Sequence, residues 1–241
     1  MPKEKTVQAE VGGYISGVFR KHFGKGPTSV YVTINRSFVT IHFRGLLAPT
    51  ERLLVKQNEL KRVLEIRDLM MVDLKQEIIQ GLKEVAALEV KELYADWDLI
   101  KETGLVIGVM KDEQEDGKWT DDAVEQAFTK EMEEASRKAE KVPGRVESYW
   151  LSDRVLLVRR SEILVQIEKE LIKNGYEEEL KLCKRPLEHR MLGEVRVEAV
   201  LNRRVSETFF DWNFDADVGY IVFLLEPKGP EEAKPGGQVL N

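Results

Sequence analysis

Val90-Lys91-Glu92-Leu93-Tyr94-Ala95-Asp96-Trp97-Asp98, followed by Gly104-Leu105-Val106-Ile107-Gly108-Val109, returns later as Val205-Ser206-Glu207-Thr208-Phe209-Phe210-Asp211-Trp212-Asn213 and Gly219-Tyr220-Ile221-Val222-Phe223-Leu224. The two stretches stand 115 positions apart at both ends (205 − 90, 219 − 104), with Val, Glu, Asp, Trp and Gly identical at 90, 92, 96, 97 and 104. An internal repeat sets the domain count before any other reading. Here it divides 241 residues into two units, each long enough to bury a core without disulfides or metals. Within each stretch the apolar residues alternate as strands do, so each copy closes on a β-hairpin.

Working back from that hairpin, the first copy builds up in order. Residues 6–23 form an amphipathic helix with Val11, Ile15, Val18, Phe19 and Phe23 on one side and Thr6 as N-cap. Ala9, Gly13 and Gly17 fall four apart, a strip of small residues where another element could approach. Gly24-Lys25-Gly26-Pro27 stops the helix. It is not a phosphate loop: the G-x-x-x-x-G-K-[ST] spacing is absent, and the loop leaves the carbonyl end of its helix, whose dipole repels anions. Residues 29–35 and 38–44 alternate as a hairpin. Val30, Val32, Ile34, Val39, Ile41 and Phe43 share the buried face, and Tyr31, Thr33, Thr40, His42 and Arg44 share a face expected to meet solvent. A single long helix is expected from Ala48 to about Ala87. Its stripe runs through Leu53, Leu60, Leu64, Met71, Leu74, Ile78, Leu82 and Val85, and Arg67 interrupts it near the centre. A guanidinium pointed at a core has to be paired.

Residues 111–118 read as the linker. In the second copy a helix carries Val124, Phe128, Met132 and Ala135, and strands 145–151 and 155–160 follow. Setting Thr40 and His42 against Leu156 and Val158 makes this second sheet apolar on both faces and covered on both. Gly175 and Pro186 should break residues 162–202 into two or three helical pieces. Arg67 is set against Leu182 or Cys183, so its charge is expected in one copy only. The expected boundaries are 6–111 and 119–226, with 227–241 a disordered tail rich in Pro, Gly, Glu and Lys. The fold class is α+β: two tandem repeats, each helix–hairpin–long helix–hairpin, with a four-stranded, largely antiparallel sheet.

Composition narrows function by exclusion. A net charge of −6 argues against nucleic acid as partner. The charged start and the absence of a long apolar run point to a cytoplasmic protein that does not itself span a membrane. Cys183 is the sole cysteine and reads as a small buried residue. The three histidines lack metal-ligand spacing. Asp211, Asn213, Asp215 and Asp217 alternate like a calcium loop but lack its glycine and closing glutamate. No nucleophile elbow or dinucleotide fingerprint is present, so no catalytic residue, metal or cofactor is assigned. Asp96, Trp97 and Gly104, with Asp211, Trp212 and Gly219, are taken as a structural signature: the tryptophans packing at the end of each sheet, the aspartates holding the turn.

Phe23-Gly24-Lys25-Gly26-Pro27, Arg44-Gly45-Leu46-Leu47-Ala48-Pro49-Thr50-Glu51, Arg67-Asp68-Leu69-Met70 and Tyr94-Ala95-Asp96-Trp97-Asp98 together resemble the MpsC domain. That family takes its name from a bacterial Na-translocating, membrane-potential-generating system, whose membrane-embedded partners are linked to bicarbonate uptake. The resemblance is strongest over residues 6–110. It implies a non-catalytic cytosolic accessory or regulatory protein that binds a protein partner, with a membrane ion or bicarbonate transport system as the candidate; homo-oligomers are also allowed for. Lys25, His42, Arg44 and Arg67 are the candidate contacts, because these polar features are read as present in the first copy alone. The rival expectation is a small-anion sensor, or an enzyme of unrecognised type, with a pocket near Arg67, His42 and Arg44.

Overall fold

A computed structural model describes residues 6–112 and 119–227. All but the first residue of the expected 227–241 tail, and most of the 111–118 linker, therefore lie outside the described residues. The first repeat comprises α1 (Val7–Phe23), β1 (Ser29–Ile34), β2 (Phe38–Arg44), α2 (Pro49–Lys56), α3 (Leu60–Ala86), β3 (Val90–Asp98) and β4 (Thr103–Met110). The second comprises α4 (Asp122–Ala139), β5 (Arg145–Ser152), β6 (Val155–Ser161), α5 (Gln166–Lys173), α6 (Glu177–Leu192), α7 (Val197–Leu201), β7 (Val205–Asn213) and β8 (Val218–Leu225). The sheets run β1-β2-β4-β3 and β5-β6-β8-β7, antiparallel throughout. The α+β tandem expected from the repeat is the fold observed.

Thr6 caps α1 through the Ala9 amide, and Gly24 closes the helix at φ 71°, a left-handed conformation that glycine adopts without a Cβ penalty. The expected long helix of the first repeat is instead two. Asn58, at φ 61°, turns the chain between α2 and α3, and Leu53 is left 61% exposed on the short helix instead of joining the stripe. Gly175 breaks the second repeat at the corresponding point, at φ 81°. Pro186 does not break α6. It sits exposed inside the helix, where the carbonyl it leaves without a donor is on the wet side.

The later break, between α6 and α7, has a different origin. Lys184 stands 117 residues after Arg67 (184 − 67), but Val205 stands 115 after Val90 (205 − 90), so the second copy is two residues shorter in between. Two residues are about 200° of helix, which would rotate a continuous stripe away from the core. The helix ends at Leu192 and restarts at Val197, a separation that absorbs the phase error.

One face of each sheet packs on its helices. Val11, Phe19, Phe43, Ile78 and Trp97 meet in the first core; Phe128, Leu156, Phe210, Trp212 and Phe223 meet in the second. The other faces pack on each other. Phe38, Tyr94, Leu105 and Ile107 of the first sheet meet Leu157, Phe209, Tyr220 and Val222 of the second, with the Tyr94 and Tyr220 rings 4.8 Å apart. The expected solvent-facing side of the first hairpin is therefore buried: Thr40 is 2% and His42 7% exposed. The second sheet is covered on both faces, as its composition indicated.

The small-residue strip on α1 is not a contact. A Cβ added at Gly13 or Gly17 would meet nothing within 4 Å, whereas one at Gly81 of α3 would lie 1.9 Å from Tyr14 Cζ. The close approach of the two helices is at Gly81, where the Tyr14 hydroxyl donates to the Glu77 carbonyl at 2.7 Å.

Candidate functional site

Trp97 and Trp212 sit on the helix-facing sides of β3 and β7, each opposite a glycine of the neighbouring strand, Gly104 and Gly219. A Cβ at Gly104 would lie 2.8 Å from the Trp97 ring and one at Gly219 would lie 3.0 Å from Trp212. The indole thus lies over the backbone of its strand partner, which accounts for the Trp–Gly spacing in both copies. Asp96 and Asp211 do not hold the turns; Asp98 does so in the first repeat, accepting from Ile100 and Lys101, and Asn213 in the second, accepting from Ala216. Asp96 instead accepts from the Phe210 amide at 2.8 Å, and Asp211 from the Ala95 amide at 2.9 Å. The two contacts are equivalent under exchange of the copies, as expected across a pseudo-twofold axis. Each carboxylate satisfies an amide on the other repeat's edge strand, which would otherwise be an unpaired strand edge.

Charge has accumulated around this axis. Arg185 Nε lies 2.6 Å from Asp96, its Nη2 3.2 Å from Asp68, and Lys181 Nζ lies 2.6 Å from Asp211. Burial pushes the Asp211 carboxyl up, but Lys181 outweighs it and holds the group below its usual range. Burial lowers Arg185, yet Asp96, Asp68 and Asp211 raise it above the ordinary arginine value. Asp68 and Arg185 occupy equivalent positions (185 − 68 = 117), so an acid faces a base where two identical copies would bring like charges together.

Arg67 is 0% exposed. Its guanidinium donates to both carboxylate oxygens of Glu51, at 2.8 and 2.7 Å, and to the Leu46 carbonyl at 2.8 Å, and lies 4.7 Å over the Trp97 ring. Lys25 donates to the next carbonyl, Leu47, at 3.3 Å. Both cations thus hold the loop between β2 and α2. Glu51 Oε2 also accepts from the Ala48 amide at 2.7 Å, so one carboxylate caps α2 and neutralises the buried charge.

The charge is duplicated after all. Lys184, 2% exposed, takes the place of Arg67 and pairs at 2.8 Å with Glu168, which caps α5 through the Val165 amide as Glu51 caps α2. The earlier pairing with Leu182 or Cys183 fails because the hairpin offset of 115 does not hold in the helices. The same shift sets Thr40 and His42 against Leu157 and Arg159, not Leu156 and Val158. Lys184 also bonds Glu140, and burial, only partly offset by Lys184, raises that carboxyl to about 7. Nearby, Arg160 donates to Ser136 Oγ at 3.0 Å and to Glu188 at 2.5 Å, and Trp212 Nε1 donates to the other Glu188 oxygen at 3.0 Å. The matching residues of the first copy, Phe43, Phe19 and Met71, are apolar. Cys183 is exposed, against expectation.

His42 and Arg44 lie on the opposite face of the first sheet from Arg67. The expected three-residue pocket therefore does not form. Tyr31, His42 and Arg44 instead line a cleft of about 470 Å³ against Arg154, Ser206 and Leu225 of the second repeat. Alternation along β1 and β2 explains the grouping: Tyr31 is paired with His42, their rings stack at 5.9 Å, and Arg44 lies 5.7 Å over Tyr31. Glu207 reaches in from β7, accepting from Thr103 Oγ1 at 2.5 Å, 3.5 Å from His42 Nε2 and 3.6 Å from Arg44. Burial raises the Glu207 carboxyl, but His42 and Thr103 outweigh it and hold the group below its usual range. Glu207 was visible in the sequence as one of the residues identical in the two copies. Arg154 carried no such signal, because its position follows only from how the repeats pack.

A family model described as "Na+-translocating membrane potential-generating system (MpsC)" matches the chain twice, over residues 3–112 and 120–227. No curated protein and no solved structure matches the chain. Among the described residues, no helix is long and apolar enough to cross a membrane.

Proposed function

The chain belongs to the MpsC family as a tandem of two copies, and from that premise we propose that it is a non-catalytic, cytosolic accessory or regulatory component of a Na+-translocating, membrane-potential-generating system. It acts by binding a protein partner of that system through the first repeat. The observation carrying this reading is where free polar capacity lies. Arg67, Lys184, Arg185 and Lys181 are engaged inside the fold by Glu51, Glu168, Asp96 and Asp211. Arg44, by contrast, is 48% exposed at its side chain and approaches Glu207 only at 3.6 Å, too far for a good hydrogen bond. Its counterpart in the second repeat is Ser161 (161 − 44 = 117), so the cation belongs to one copy.

The test is affinity purification of the wild-type protein and of Arg44→Glu from membranes of the native host. The wild type should recover a membrane-embedded subunit of the transport system and the variant should lose it. A wild-type protein that is recovered alone removes the support for this reading.

A further inference from the structure

The cleft between the repeats has the makings of a small-ligand site, and this does not depend on the partner reading. His42 is more than nine-tenths buried, lines the cleft, and its Nε2 has no hydrogen-bond partner. Glu207, 3.5 Å away, favours the tautomer with a proton on that nitrogen but is too far to bond it well. A buried donor left unmet costs free energy that a ligand acceptor would recover. Arg44 and Arg154 line the same cleft; Arg154 uses Nε on the Leu225 carbonyl at 3.0 Å, and no hydrogen bond from its terminal nitrogens or from Arg44 occurs among the described residues. The rest of the lining is mixed: Val155 and Leu224 supply apolar surface beside Thr33, Thr40, Ser152 and Ser206, and Tyr31 is 55% exposed at the mouth.

We propose that this cleft binds a small organic carboxylate. The carboxylate would be held by Arg44 and Arg154 with His42 Nε2 as a further donor, and the apolar body would rest on Tyr31 and the Val155–Leu224 wall. A guanidinium presents two parallel donors that match the two coplanar oxygens of a carboxylate. A dianion such as phosphate fits less well, because Glu207 and Asp153 already place negative charge beside the cations. The apolar surface that Val155, Leu224 and the Tyr31 ring add to the cleft favours a ligand with a body over a bare ion.

The experiment is calorimetric titration of the purified full chain with benzoate, benzyl alcohol and inorganic phosphate at millimolar concentration. The wild type should bind benzoate in preference to both others, and Arg44→Gln and Arg154→Gln should each weaken binding about tenfold or more. Both residues are solvent-exposed, so folding is checked independently by circular dichroism and is expected to be unchanged. Absence of benzoate binding to the wild type, equal binding of benzyl alcohol or phosphate, or unchanged binding in well-folded Arg44→Gln and Arg154→Gln would overturn the proposal.

Discussion

Replacing Arg67 by methionine tests the most heavily buried charge in the first repeat. The substitution keeps an unbranched apolar stem but removes two hydrogen bonds to Glu51, one to the Leu46 carbonyl and the stacking on Trp97. Glu51 has a side chain only 13% exposed, so it would be left as a nearly buried, unpaired carboxylate. Breaking a buried pair from one side costs about 3–5 kcal/mol, mostly through the charge that is stranded. Replacing Glu51 by glutamine as well keeps an acceptor for the Ala48 amide while removing that charge. The double variant Arg67→Met/Glu51→Gln should therefore recover a substantial part of the loss. The assay is urea unfolding of the wild type, both single variants and the double variant, analysed as a thermodynamic cycle. The reasoning fails if Arg67→Met loses less than about 1 kcal/mol, the range of an exposed pair, or if adding Glu51→Gln makes it worse by the full cost of the single substitution.

Four further outcomes follow from the same geometry. Trp97→Ala and Trp212→Ala should each cost about 3–5 kcal/mol in urea unfolding, as deletions of large buried aromatics do. Gly81→Ala should destabilise by about 1–3 kcal/mol through overpacking against Tyr14, while Gly17→Ala, on an open helix surface, should gain up to about 1 kcal/mol from helix propensity. Glu140 is raised to about 7, so the folded state holds a proton that the unfolded chain has released above its ordinary value of 4.5. Stability relative to Glu140→Gln should therefore fall as pH rises from about 5 to 7, measured by urea midpoints, and level off above. Asp96→Ala and Asp211→Ala each strand an edge amide and remove an ion-pair partner, leaving Arg185 with Asp68 alone in the first case and Lys181 without its 2.6 Å partner in the second, so both should loosen the contact between repeats, seen as faster amide exchange at Phe210 and Ala95 respectively.

The repeat was legible because strand alternation and the Trp–Gly pair survive in both copies: a large ring over a glycine leaves little freedom to either residue. Hairpin faces were legible for the same reason, and β1 and β2 pair in the register that alternation required. What covers a face was not. Thr33, Thr40 and His42 look like a wet surface when one repeat is read alone, and only the second sheet buries them. Helix register was also hidden. The 115-residue offset is true of the last hairpin, but the second copy is two residues shorter between Lys184 and Val205, and Gly193, which ends α6 there, does not show by how much the copies differ in length. Lys184 and Glu168 were therefore missed as counterparts of Arg67 and Glu51. Of the four candidate contacts, His42 and Arg44 meet in one cleft, while Lys25 and Arg67 meet at a loop on the other side of the sheet. The partners that complete the cleft, Arg154 and Ser206, belong to the other repeat, and no periodicity connects them with β1.

The claim that the first repeat faces the transport system can be tested by placing a photo-crosslinking residue at Tyr31, on β1, or at Arg145, on the corresponding first strand of the second repeat. Both positions are open to solvent, with Tyr31 55% exposed and the Arg145 side chain 71% exposed. Irradiation in the native host should join the Tyr31 variant, and not the Arg145 variant, to a membrane-embedded subunit of the Na+-translocating system. Crosslinks to that subunit from Arg145 alone, or from neither position, would contradict the account.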